Sequence, residues 1–419
     1  EARLPYPTAR TGGDRDYFFA GQWFPKIGAF EPIGVRGATE PRFAARQFRG
    51  PTEFYADFAD WDVRVTAPDG FLVAATGTAP APPERTPDGQ QRWRFTERAV
   101  HDFAFVAGSI LREVRSSVEM GPGRAPIELQ IVLPAGTEEQ APRWRAAAEI
   151  ALHVLDERVG RYPYPKFTVV LPPAWAQATG GMEYPTLVTG FFGDPILDLR
   201  PVAAVRVFEE TIAHEIAHNW FYGTIASNEQ EEAFLDEGFT QFWQIEIMRA
   251  FAGPGNEAKD GGQILGRDFD TIDLERFVMG RRFDAFREPI IKRPTGLFHA
   301  GSEQMQVYTR PAVVLLTAER LFGKEAIDRL FHAYFDRFSF HHPQWADFLT
   351  VAREAVGADF ADFLAEAFTR EQSPDYEVVA LKSERFEPPL GRLPGDGGFL
   401  HDEDERDAPP EAGLDPAAR

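Results

Sequence analysis

The chain contains no cysteine. Disulfides and thiolate metal ligands are thereby excluded, and any bound metal must draw its ligands from His, Asp or Glu. No apolar run approaches the ~18 residues that a membrane-spanning helix needs, and no signal-peptide pattern opens the chain. The first residue is Glu1 rather than methionine, so removal of an upstream segment is expected and compartment cannot be read from this end. Basic residues are in short supply: 44 Lys and Arg face 65 Asp and Glu, a formal charge of −21. That field repels nucleic-acid phosphates and anionic lipid surfaces, whereas a positively charged amino terminus would be welcomed. No internal repeat is found. What is present suffices for a folded enzyme, since 419 residues with 43% hydrophobic and 13% aromatic content can bury the core of one large or two smaller domains.

The chemistry concentrates in Thr211-Ile212-Ala213-His214-Glu215-Ile216-Ala217-His218-Asn219-Trp220. On a helix, residues i and i+4 lie about 40° apart around the axis, so His214 and His218 can reach one ion held just off the surface. Neutral imidazoles suit Zn2+. Glu215 sits on a neighbouring part of the same face, near enough to take a proton from a metal-activated water without ligating the metal, which is the His-Glu-x-x-His arrangement of zinc peptidases. In Leu235-Asp236-Glu237-Gly238-Phe239 a carboxylate follows His218 after eighteen intervening residues, room for one loop and the start of a second helix. Alone, Glu237 reads as a solvated helix residue. In register with the paired histidines it completes a triad and leaves a fourth position for water.

Around this stretch the chain divides into a β-rich part and a helical part. From Phe18 to Pro134 the pattern is short, aromatic-rich and alternating, as in Trp61, Val63, Val65 and in Trp93, Phe95, with turns such as Pro68-Asp69-Gly70 between. Ala79 to Pro87 reads as a Pro-rich loop, and Ile127 to Leu133 as a strand. A boundary is expected near Glu138. Beyond it come a helix over Trp144 to Val159, a strand over Phe167 to Leu171, and an edge strand within Ala178 to Gly193. The metal helix is expected over Val202 to Tyr222 and the next over Phe234 to Ala250. An irregular stretch from Phe251 to Arg293 precedes helices over Ser302 to Phe322, Lys324 to Phe338 and Trp345 to Val356. His401 to Arg419 reads as disordered. The expected organisation is α+β: residues 1–137 β-rich, 138–388 helix-rich and catalytic, 389–419 an acidic Pro/Gly-rich tail.

The remaining histidines and charges have bland readings. His101, His153, His299 and His332 lack ligand spacing and read as structural or solvated, and His341-His342 as a turn before Pro343. Arg310 reads as an exposed helix arginine ahead of a substrate-carboxylate contact. Asp236 or Glu210 could orient an imidazole, and the sequence does not choose between them.

With these motifs in place the chain resembles the aminopeptidase N and leukotriene hydrolase family of gluzincin zinc peptidases, over roughly Gln22 to Tyr376. The family's Gly-x-Met-Glu-Asn motif is matched by Gly180 to Glu183 about thirty residues upstream, and its downstream tyrosine by Tyr308 in Tyr308-Thr309-Arg310-Pro311-Ala312. The resemblance implies a partial saddle-shaped β domain followed by a thermolysin-like catalytic domain. It implies one zinc held by His214, His218 and Glu237, Glu215 as general base, and Tyr308 as oxyanion donor. Glu183 would hold the α-ammonium of a peptide with a free N-terminus, with Gly181 and Met182 lining the cleft through their backbones. The chain departs from the family pattern at Tyr184, where asparagine is usual, at Asn219, where glutamine often follows the second histidine, and in length. The implied activity is removal of N-terminal residues from peptides. A thermolysin-like endopeptidase and a peptide-binding scaffold without turnover are the alternatives.

Overall fold

The computed structural model describes residues 10–14, 16–45, 52–191, 206–252, 263–264, 267–268 and 304–369. The expected tail over 389–419, most of the irregular stretch over 251–293, and His299 lie outside the described residues. All described residues belong to the compact unit Glu1–Ser373.

Up to residue 134 the structure is almost entirely β. β1 (Thr11–Asp14) and β2 (Tyr17–Ala20) are followed by the short pair β3 (Phe30–Glu31) and β4 (Arg42–Phe43). Next come β5 (Ala59–Ala67), β6 (Leu72–Ala75), β7 (Glu84–Arg85), β8 (Gln91–Val100) and β9 (Phe105–Gly108). One antiparallel sheet has the order β1-β2-β9-β6 and another the order β5-β8-β7. Alternation fixes which faces meet: Val65, Trp93, Phe95 and Val73 share one core cluster, while the intervening residues of β5 and β8 face outward. β7 falls inside the stretch expected as a loop. Its two residues lie between Pro83 and Pro87, where backbone donors are available for pairing with β8.

A mixed sheet carries the chain into the helical part. β10 (Leu111–Val118) pairs antiparallel with β11 (Ile127–Pro134), which runs parallel to β12 (Lys166–Val170), itself parallel to β13 (Leu187–Thr189) at the edge. Residue 138, the expected boundary, lies after β11, and strands from either side of it share this sheet. One face presents Leu129, Ile131, Leu133, Phe167 and Val169 to the helices. The other presents Val132 and Val170 to the β sheets and turns polar toward its far end, with Gln130, Lys166 and Thr168.

The helices follow amphipathic patterns. α1 (Ala141–Arg158), with Pro142 in its first turn, buries Trp144, Leu152 and Leu155 against the sheet and against α2 (Val207–Ala217) and α4 (Glu237–Ala252); α3 (Glu229–Glu232) is a single turn between them. α5 (Arg310–Phe322), α6 (Lys324–Phe338), α7 (Trp345–Ala355) and α8 (Ala358–Thr369) complete the described part. Phe331, Tyr334 and Phe348 interlock with Phe239 behind the metal helices. The architecture is α+β, as the sequence indicates.

Three helix expectations need correction. The described metal helix ends at Ala217 rather than Tyr222, because the chain turns: Tyr222 adopts φ 82° and Phe221 bridges to Ile225. His218 keeps helical angles at the cap, so the i,i+4 relation survives. The second helix starts at Glu237, after a tighter turn over Ala233–Leu235. Tyr308 lies in a π-helical turn over Gln304–Thr309 before α5, rather than within one continuous helix.

Candidate metal centre

Helices α2 and α4 bring three ligand atoms together. His214 Nε2 lies 3.1 Å from His218 Nε2, and Glu237 Oε2 lies 3.1 Å from the first and 3.2 Å from the second. Around a tetrahedral Zn2+ with bonds of about 2.0 to 2.1 Å, ligand atoms stand about 3.3 to 3.4 Å apart, so the triad is already close to that geometry. The hydrogen bonding behind the ligands agrees. His214 Nδ1 donates to Gln244 Oε1 at 3.0 Å and His218 Nδ1 to Asp236 Oδ1 at 2.5 Å. With both Nδ1 atoms so engaged, both Nε2 atoms turn lone pairs toward one point and need a cation between them.

Charge makes the same case. Glu183, Glu215, Glu229 and Asp236 are all buried around the triad. Burial works to lower the His218 pKa, but Asp236 and Glu237 outweigh it and hold the imidazole above its ordinary range. Burial likewise opposes ionisation of Glu237, yet the two imidazoles keep its carboxyl well below the usual range. The site therefore pulls positive charge into its centre, and the donor set fits zinc.

Glu215, beside the triad, is pushed up to about 7 by burial, against the pull of the two imidazoles. Gly181 flanks it: a Cβ there would stand 3.8 Å from Glu215 Oε1 and 3.2 Å from the Phe191 ring, and its φ of +68° independently favours glycine. Gly181 and Met182 are stitched to the sheet edge, Gly181 N donating to Thr189 O at 2.7 Å and Thr189 N to Met182 O at 2.8 Å. Glu183 follows, 7% exposed, its pKa raised by burial and by Glu53. Tyr308 donates to Glu237 Oε1 at 2.6 Å and its ring lies parallel to His214, with centroids 6.1 Å apart. The structure thus gathers His214, His218, Glu237, Glu215, Tyr308 and the Gly181–Glu183 segment in one region.

The departures from the motif have visible roles. Tyr184 packs on Phe19 and against Gly21. Asn219 Oδ1 accepts from Thr186 N at 2.9 Å, tying the Glu183 segment to the metal helix. Of the two acids left open as imidazole partners, Asp236 takes the place beside His218.

Several contributors were not anticipated. Gln244 lies two turns after Glu237 on one face of α4, a spacing that could have exposed it. Glu229 contacts Asp236 and accepts from the backbone of Glu53, while Gln230 Nε2 donates to Glu53 O at 2.8 Å. The β-rich part thereby braces the metal centre. Arg310 is a correction: it is buried, donating to Gln306 Oε1 at 3.0 Å, because the π turn places Gln306 beneath it. His101 is buried against Tyr222. His153 is exposed and bonds the Glu119 carbonyl, and His342 packs on Phe58.

Comparison with known proteins agrees with this geometry. Leucine aminopeptidase 2 of Pyricularia oryzae is 25% identical over 323 residues, covering 75% of this chain and 46% of that protein. Aminopeptidase B of Rattus norvegicus is 26% identical over 239 residues, covering 56% and 34% respectively. The chain thus spans less than half the length of either relative. A crystal structure of the M1 zinc metallopeptidase from Deinococcus radiodurans matches with a TM-score of 0.56 at 21% identity, covering 78% of this chain and 67% of that one. A variant of the same enzyme bound to a Tyr-Ser-Ala substrate matches with a TM-score of 0.58 at 18% identity, covering 89% and 75%. These structures share the fold. The family model for the Peptidase family M1 domain matches residues 149–367, a span that holds the entire triad, the Gly181–Glu183 segment and Tyr308, and the chain belongs to that family.

Proposed function

We propose that this chain is a zinc aminopeptidase, and the observation that carries this reading is Glu183. Its carboxylate is buried on a segment fixed to the sheet edge and to the metal helix, beside the proposed general base, and no lysine ammonium is ion-paired with it among the described residues, the protein cations acting on it being His218 and Arg10. A peptide with a free amino terminus supplies that ammonium. Pairing with Glu183 would set the first peptide bond over the triad, and the backbone of Gly181 and Met182 would border the extended substrate.

Zinc held by His214, His218 and Glu237 would polarise the scissile carbonyl and bring the pKa of water toward ~7. Glu215 takes a proton from the attacking water and passes it to the leaving amine. The Tyr308 hydroxyl donates to the oxyanion as it develops. Asp236 and Gln244 hold the imidazoles in the tautomer that presents Nε2. The division at residues 1–137, 138–388 and 389–419 belongs to the same reading, with the β part bracing the centre through Thr52 and Glu53. A net charge of −21 suits peptides better than nucleic acid, and no helix among the described residues is long and apolar enough to cross a membrane.

The test is a peptide and its N-acetylated twin, followed by mass spectrometry. Acetylation leaves Glu183 unpaired, which costs about 2 to 5 kcal/mol, so the free peptide should be shortened stepwise from its amino end while the twin resists. Glu183→Ala should narrow that difference. Equal cleavage of both at internal bonds would replace this reading with an endopeptidase.

A further inference from the structure

At the end of the mixed sheet away from the metal centre lies a cavity of about 550 Å³ that no part of the peptidase site uses. Parallel pairing places the two ends: Lys166 begins β12, while Val170 near its other end pairs with Thr189, the residue that holds Gly181 and Met182. Phe71, Trp93 and Phe95 wall the cavity, and prolines 80, 82 and 83 line it further. Its floor is the polar stretch of the sheet face, with Glu113 and Arg115 on β10, Glu128 and Gln130 on β11, and Lys166 on β12.

The floor is unevenly satisfied. Arg115 reaches Glu113 at 3.0 Å and Glu128 at 2.8 Å, so both acids have a cation. Gln130 donates to Glu113 and meets Thr168 Oγ1 at 3.3 Å. Lys166, only 4% exposed, donates to a single acceptor, the Gly77 carbonyl at 3.2 Å. An ammonium has three donors and accepts nothing, so its other two protons have no hydrogen-bonded protein acceptor among the described residues, while Glu97 on β8 joins Glu113 and Glu128 in attracting its charge. Burial holds its pKa down to about 8, which keeps it mainly charged at neutral pH.

We infer that this cavity is a second binding site, taking a small monocarboxylate with a flat apolar body, anchored by Lys166. A carboxylate offers two acceptor oxygens to the two spare donors. Glu113 and Glu128 beside it disfavour a dianion such as phosphate, and the aromatic and proline walls match an apolar body of a size the volume accommodates.

The probe is 3-phenylpropionate, titrated calorimetrically into the wild-type chain, with 3-phenylpropanamide as its uncharged counterpart. Saturable one-to-one binding is expected, weakened roughly 10-fold or more for the amide and for Lys166→Met. In the wild-type protein, which needs no variant to fold, the probe should also protect Lys166 from an amine-acylating reagent, read by peptide mass spectrometry. Absence of saturation overturns the inference. So does unweakened binding to Lys166→Met, which would locate the probe elsewhere, at the metal triad for example, and so does acylation of Lys166 at an undiminished rate.

Discussion

The two ends of β12 bury ionisable groups in opposite proportion. Around the triad, four buried carboxylates, at positions 183, 215, 229 and 236, join the half-buried Glu237 and two imidazoles; around Lys166, two acids are already held by Arg115, Glu97 also acts on the ammonium, and the ammonium keeps spare donors. Burial alone pushes each group toward neutrality, raising Glu215 and lowering Lys166. What separates the ends is the sign of the charge each still attracts, a cation at one and an anion at the other. They are also physically joined: Lys166 donates to Gly77 O, Gly77 N to Thr186 Oγ1 at 2.7 Å, and Thr186 N to Asn219, the residue after His218.

The sharpest way to probe the metal end is to neutralise Glu215, the proposed base, while keeping the proposed ligands. Glu215→Gln should lower kcat by roughly 100-fold to 10,000-fold with zinc still bound. Loss of zinc in that variant would assign Glu215 to the scaffold. Tyr308→Phe should lower kcat roughly 100-fold to 1,000-fold with little change in KM, since the ring remains packed beside His214. An unchanged kcat would move the oxyanion role to another group.

The Lys166 end makes a prediction about pH. Its folded pKa of about 8 lies below the ordinary 10.5, so between those values the unfolded chain binds more protons and stability rises with pH. The penalty is fully present below pH 8. Denaturant unfolding at pH 7 and pH 10 should therefore show wild type gaining about 2 to 3 kcal/mol relative to Lys166→Met. A pH-independent difference would mean that the amine is solvated. The smallest expected effect returns to the triad: Gln244→Ala should weaken zinc roughly 10-fold to 100-fold by freeing the His214 ring. Competition with a chelator reads this directly, and unchanged affinity would reduce Gln244 to packing.

How much of this is legible without coordinates depends on whether a feature is local. Lys324–Phe338 is found at both ends, because its apolar period runs unbroken between a glycine and a serine. The paired histidines are legible because their spacing follows from helix geometry, and Glu237 only through its register with them. The end of the metal helix is not: Trp220, Phe221 and Tyr222 continue an apolar run, and only the turn at Tyr222, pinned by Ile225, ends the helical path. The burial of Arg310 is not legible, because a charged helix residue is ordinarily solvated and the π turn that buries it leaves no mark in composition. The choice of Asp236 as an imidazole partner needed the fold, since it depends on how α2 meets the turn before α4.

Metal content tests the central claim most directly. Protein purified after expression with added zinc should carry about one zinc per chain in the wild type, about one in Glu215→Gln, and none in His218→Ala, since only the last loses a ligand. Zinc absent from the wild type, or retained undiminished by His218→Ala, would contradict a metal centre built from His214, His218 and Glu237.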